Sequence, residues 1–248
     1  MRDISELFET DEGNPGPVGL RVDDLVYWCG VTGTDPSDEG ARPDLLRQVG
    51  TALATIDTQL QDLGGSLDNV AYVSFLLRDP ADIRRINTVW TKRFPDELSR
   101  PAYKFMRARL AGSEEVRLNV FAVLGAARES LYLPKVAHAN PIPLAVKAGR
   151  YLFSSRVLPY DPATGEPGRD GAEQAAFAVL NVSTLLEQAG MSWRDVTQAR
   201  AFVADPALDA LVRAEWRRQC GDTDAAPLRI TRYRAGALTV LLEIIAVH

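Results

Sequence analysis

A shift of 126 positions lays one half of this 248-residue chain over the other. It carries Asp35-Pro36 onto Asp161-Pro162, Gly64 onto Gly190, Ser66 onto Ser192, Val70 onto Val196, Asp79-Pro80 onto Asp205-Pro206, Trp90 onto Trp216 and Pro101 onto Pro227. A period this long means one structural unit written twice, each copy large enough to close a core of its own. The register fails only near the ends. There "MRARLAGSEEVRLNVFAV" is longer than "RYRAGALTVLLEIIAV", the mark of one hairpin loop of unequal length. Domains are expected at 1–126 and 127–248, with "GAARESLYLPKVA", residues 125–137, as the linker.

Within each copy the hydrophobic periods agree. Leu46, Val49, Leu53, Ile56, Leu60 and Leu63 recur every three or four residues and stop at Gly64, which predicts an amphipathic helix with a glycine end. "RDGAEQAAFAVLNVSTLLEQAG" does the same in the second copy. "NVAYVSFLL" and "DVTQARAFV" are strand-like, and the Asp-Pro pairs after them open second helices, Asp as cap and Pro in the first turn. Both copies begin with β-rich segments and close with two strands. Each is therefore expected to be β-β-α-β-α-β-β, an α+β domain with its helices on one face of a sheet.

Composition narrows the function. The 33 acidic residues outnumber the 28 Lys and Arg, a net charge of −5 that opposes a nucleic-acid role. The longest apolar run, "LTVLLEIIAV", contains Glu243 and falls short of the roughly 20 residues that cross a bilayer, so no membrane partner is expected. The N-terminus "MRDISELFETDEGN" is acidic and without a signal-peptide core, which makes the cytoplasm the expected location. Cys29 and Cys220 would then be thiols.

In this order the motifs "FSSRVLPYDPATGE", "LLEQAGMSWRDV", "SFLLRDPADIRRINTVW" and "LLEIIAVH" resemble the RidA/YjgF family of reactive-intermediate deaminases, a chorismate-mutase-like fold, here in tandem from about Gly16 onward. The resemblance implies trimers built through the sheets, with small-molecule pockets between neighbouring subunits and hydrolysis of enamines and imines. An Arg in a "PxR" motif would hold the substrate carboxylate, backbone carbonyls near a "SG" strand would accept from the amino group, and a Glu of the closing strand would place the attacking water. It implies no metal and no organic cofactor.

Carried across residue by residue, the second copy keeps the clamp as Arg229, with Arg232 and Arg234 close enough in sequence to compete for the role. The water-placing Glu falls on Leu241. Glu243, at the next acidic position and about 6.6 Å along the same strand face, is the expected replacement; the alternative is a carboxylate paired with a nearby arginine. Ser155 matches the family Ser, but the Gly after it is Arg156, which either fills the pocket or clamps an anion. The family Asn of the second helix becomes Arg213, and several arginines near one pocket would favour a substrate with more than one acidic group. In the first copy Cys29 and Gly30 keep the small pair and Asn87 matches the Asn, but Tyr103 replaces the clamp, and Asn119 and Phe121 take the two acidic positions. That pocket is expected to be degenerate, with Lys104 and Arg107 as charges of no matching role. Cys29 reads as a buried structural thiol rather than a nucleophile, because the histidines stand at His138, in the linker region, and at His248.

Two His and two Cys do not make a usual zinc site, while an all-carboxylate magnesium site stays compatible with the sequence. Walker, G-x-G-x-x-G and G-x-S-x-G motifs are absent. If three domains close a ring, three two-domain chains supply two rings, so a homotrimer is the simplest expected assembly. The expected function is processing of a small carboxylated imine or enamine. The alternatives are a related fold with a changed reaction on a cyclic carboxylate, and a non-catalytic ligand-binding or scaffold protein, for which Leu241 and Phe121 speak.

Overall fold

The computed structural model describes residues 4–6, 18–34, 44–221, 228–233 and 236–248; Asp35-Pro36, Pro227 and Arg234 lie outside them. The chain divides into two compact units, Met1–Arg128 and Glu129–His248. The first contains strands β1 (Ile4–Glu6), β2 (Val18–Val22) and β3 (Leu25–Thr32), helix α1 (Leu45–Asp62), β4 (Val70–Leu77), α2 (Ile83–Arg93), β5 (Ala102–Arg107) and β6 (Val116–Val123). The second repeats the order as β7 (Arg128–Leu131), β8 (Ala145–Ala148), β9 (Tyr151–Ser154), α3 (Gly171–Gln188), β10 (Val196–Val203), α4 (Asp209–Cys220), β11 (Leu228–Arg232) and β12 (Val240–Val247). Each unit thus has the expected α+β order with one further strand at its start. In the second unit that strand begins inside the segment read from sequence as linker.

The two sheets match strand for strand, β5-β4-β6-β3-β2-β1 in one and β11-β10-β12-β9-β8-β7 in the other. The helix between β4 and β5, or between β10 and β11, crosses over and makes that pair parallel, whereas the other recorded pairings are antiparallel. Asp44 and Asp170 cap α1 and α3 by accepting two backbone N–H bonds each, and Gly64 ends the first helix at φ 76°. Asp79 and Asp205 each cap a short 3-10 turn opened by Pro80 or Pro206, and that turn leads into the second helix. The core stripe of α1 is Leu45, Gln48, Val49, Ala52, Leu53, Ile56 and Leu60; Leu46 and Leu63 flank it half-exposed.

Gln48 and Gln174 occupy the same position in the two copies, and both are buried. Gln48 donates to the Ser113 carbonyl and accepts from the Glu115 amide; Gln174 donates to the Gly168 and Ala237 carbonyls and accepts from the Thr239 amide. Each glutamine therefore fastens its long helix to the hairpin before the closing strand. These pairs also show that the 126 offset has dropped to 124 by this hairpin, so the loops differ by two positions.

Side chains alternate across each sheet. In the second unit Ala199, Ala201, Val203, Val240, Leu242 and Ile244 face the helices and join Ala178, Val182, Leu185, Val212 and Trp216 in one core. The intervening residues of β10, β11 and β12 face away from the helices, and the candidate site lies on that face.

Candidate functional site

Strand register brings four charged residues together. Arg200 in β10 stands beside Arg229 of parallel β11 and opposite Glu243 of antiparallel β12, which makes a row Arg229–Arg200–Glu243 across three strands. Neighbouring strands lie about 4.8 Å apart, so these side chains leave the sheet as immediate neighbours. Arg229 is exposed, Arg200 half-buried, and Glu243 only 3% exposed. The guanidinium of Arg156, just past β9, lies over the ring of Phe202, 4.6 Å from its centre, and Phe202 is two residues from Arg200 on the same face. Opposite Phe202 is Leu241, 7% exposed. The position implied for a water-placing carboxylate is thus part of an apolar floor, and Glu243 is the acid beside the arginines.

The competing arginines are sorted by face. Arg232 points to the helix side and pairs with Asp209 at the start of α4, whose carboxyl it holds below the usual range. Arg213, expected at the ligand site, is placed elsewhere: it sits on α4 and donates 2.8 Å to the Leu228 carbonyl from the helix side. Arg200 was missed. The repeat pairs it with Ser74, so the offset marked it as unremarkable, and only the strand register shows that it shares a row with Arg229.

Ser155 is fully buried and its hydroxyl is used internally. Its oxygen lies 2.9 and 3.1 Å from the Pro143 and Leu144 carbonyls and 2.7 Å from His138 Nε2. Carbonyls only accept, so the hydroxyl proton goes to one of them and Nε2 carries the hydrogen donated to Ser155. Burial first, and the Arg156 charge second, depress the His138 pKa to about 4, which keeps the ring neutral near pH 7. His138, which the sequence reading places in the linker region, is after Arg200 the second residue of this site that it missed. The returning strand pair β8–β9 carries it to the site.

The first unit differs from its sequence reading in three ways. Tyr103 does not take the place of Arg229. It stands beside Val73 on the helix side, 1% exposed, edge-on to Phe75 and Trp90, and its hydroxyl donates 2.6 Å to Asn87. The residue beside Ser74, in the register of Arg229, is Lys104, whose ammonium lies 5.7 Å from the Tyr72 ring centre. Asn119, opposite Ser74, corresponds to Glu243 opposite Arg200, and Arg117, opposite Leu76, corresponds to Leu241 opposite Phe202, so the sequence pairing of Asn119 with Leu241 and of Phe121 with Glu243 shifts by two positions. Lastly, Cys29 is exposed, not buried. It lies beside Tyr27, whose phenol is pushed up to about 12 by burial and then by its hydrogen bond with Cys29. Gly30 adopts φ 82° and donates 2.9 Å to the Asn119 side chain; Arg156, its counterpart, does not use a left-handed backbone.

Among the described residues no cluster of three or more His, Cys, Asp or Glu could hold a metal ion, and no helix is long and apolar enough to cross a membrane.

Two copies of a small α+β unit, each a six-stranded sheet with its two helices on one face, define the class. The chain belongs to the endoribonuclease L-PSP family, that of the RidA and YjgF proteins, and its model matches twice, at residues 17–123 and 135–247. Among curated relatives, the 3-aminoacrylate deaminase RutC of Acinetobacter baylyi is 35% identical over 97 residues, 37% of this chain and 75% of that protein. The 2-iminobutanoate/2-iminopropanoate deaminase of Escherichia coli is 33% identical over 69 residues, 28% of this chain and 54% of that protein. The chain thus spans between about half and three quarters of such relatives, some of which fall below two thirds. The crystal structure of the E. coli YjgF gene product is 25% identical with a TM-score of 0.43, covering 48% of this chain and 98% of that one.

Proposed function

We propose that this chain is a deaminase-type hydrolase of a small carboxylated imine or enamine, with its working site on the face of the second unit's sheet that points away from the helices. The observation that carries the proposal is the Arg229–Arg200–Glu243 row. Arg229, exposed and without an ion pair among the described residues, holds the substrate carboxylate through its planar fork. Backbone around Ser155 and Arg156 orients the nitrogen, the buried Ser155–His138 contact keeping that turn in place. Glu243 takes a proton from water as the oxygen attacks the C=N carbon and passes it to nitrogen, giving the carbinolamine; it then takes the new hydroxyl's proton and delivers it to the amino group, so that the C–N bond breaks, ammonia leaves and the C=O bond forms. Water is the only co-reactant and no electrons change hands, so the reaction needs no cofactor. Positioning supplies most of the acceleration, because an imine carbon is already electrophilic. The relatives named as deaminases support this chemistry at family level.

In the same proposal three chains associate, and a neighbour closes the open sheet face into a pocket. Lys104 gives the first unit a cation of its own, so its site need not be inert, although Asn119 in place of Glu243 leaves it without an acid–base group.

One observation favours a second reading, a ligand-binding protein without turnover: Leu241 and Phe202 line the place implied for the water-placing acid. Glu243→Gln separates the two. Ammonia release lost while ligand still binds supports the hydrolase; ammonia release that survives removes Glu243 from the mechanism.

A further inference from the structure

Arg200 and Arg229 are adjacent like charges, and nothing among the described residues neutralises either of them by an ion pair. Cross-strand neighbours of like charge destabilise a sheet, and the Nε of Arg200 is in addition shut off from solvent with no hydrogen-bond partner. Two further arginines of this unit are engaged elsewhere, Arg232 with Asp209 and Arg213 with the Leu228 carbonyl, so the surplus is local to this row. Arg200 and Arg229 share this row with a single carboxylate, Glu243.

A ligand with one carboxylate engages Arg229 alone and leaves the Arg200 guanidinium without a counter-charge. A ligand with two carboxylates on adjacent or next-adjacent carbons spans the inter-strand spacing of about 4.8 Å and supplies one acceptor group to each guanidinium. We propose that Arg200 is a specificity residue which makes this site select a dicarboxylic substrate, the imine or enamine of a four-carbon diacid rather than of a monocarboxylic acid. The inference rests on placing the substrate carboxylate at Arg229, and it names the substrate class of that same site.

The test uses the full chain and two stable keto acids that resemble the hydrolysis product, oxaloacetate and pyruvate, titrated calorimetrically. Alongside it, ammonia release is followed from the imines that an amino-acid oxidase generates from aspartate and from alanine. The wild type is expected to bind oxaloacetate roughly tenfold or more tightly than pyruvate, the scale of one charge-assisted contact. Arg200→Gln should erase that preference while changing pyruvate binding less than about twofold, and Arg200→Lys, which keeps the charge and lacks the fork, should restore part of it. Circular dichroism confirms that both variants are folded, and Arg200→Lys alone carries the test if the glutamine variant is not. Equal affinity for the two keto acids, no binding of either, or a preference that persists in Arg200→Gln would overturn the inference. The hydrolase proposal fails separately. Oxaloacetate preference without ammonia release from either imine leaves the diacid site standing and removes the reaction; ammonia release with no diacid preference does the opposite.

Discussion

At the scale of single residues, chemistry was legible where one side chain type carries a role and illegible where a neighbouring strand decides which way it points. Arg229 is marked by a motif, and the strand register sets it beside Arg200; its grip on a substrate carboxylate belongs to the proposal. Arg213 was assigned to the ligand site by its position on the second helix, yet it holds β11 by a hydrogen bond from the helix side. Arg213→Ala is therefore expected to lower stability by about 1–2 kcal/mol and to leave ligand affinity within about twofold, measured by denaturant unfolding and titration of the same protein. His138 offers a pH test. Its folded-state pKa of about 4 lies below the ordinary histidine value, so the unfolded chain takes up the proton first as pH falls. The stability tied to its neutral form is complete above pH 6.5 and drains away between about 6.5 and 4, by up to about 3 kcal/mol. His138→Gln should flatten that part of the stability–pH curve; an unchanged slope would mean that the ring is not held neutral.

At the scale of elements, the helices were readable from their 3.6-residue stripe, and the order of strands followed from the repeat. Strand β5 was not. A fixed offset places Tyr103 under Arg229, but the copies have slipped by one position there, and in a strand one position exchanges the two faces. The tyrosine consequently went into the core beside Trp90, and Lys104 came to the open face. A related lesson concerns the buried glutamines, which read as polar interruptions of an apolar stripe and turn out to be ties between helix and hairpin. Gln174→Ala would leave the Thr239 amide without its acceptor, with an expected loss of about 2–4 kcal/mol in unfolding free energy. A loss under 0.5 kcal/mol would show that water replaces the side chain at no cost.

At the scale of the whole molecule, the tandem architecture was the most legible property, because a 126-residue period survives divergence that no single site residue survives. Family membership follows from both copies. Assembly does not, since it depends on surfaces and not on periodicity. Three chains are the proposed state, and sedimentation equilibrium should return three times the 27.2 kDa chain mass; a monomer at micromolar concentration would leave the sheet face without a neighbour to close it. The central claim is that the helix-free face of the second sheet hydrolyses a carboxylated imine gripped by Arg229. Its most direct test is ammonia release from freshly generated 2-imino acids, from alanine and from aspartate, by the wild type and by Arg229→Ala. Acceleration over buffer that falls at least about tenfold in the variant is the predicted result. No acceleration by the wild type, or full acceleration in Arg229→Ala, would contradict it.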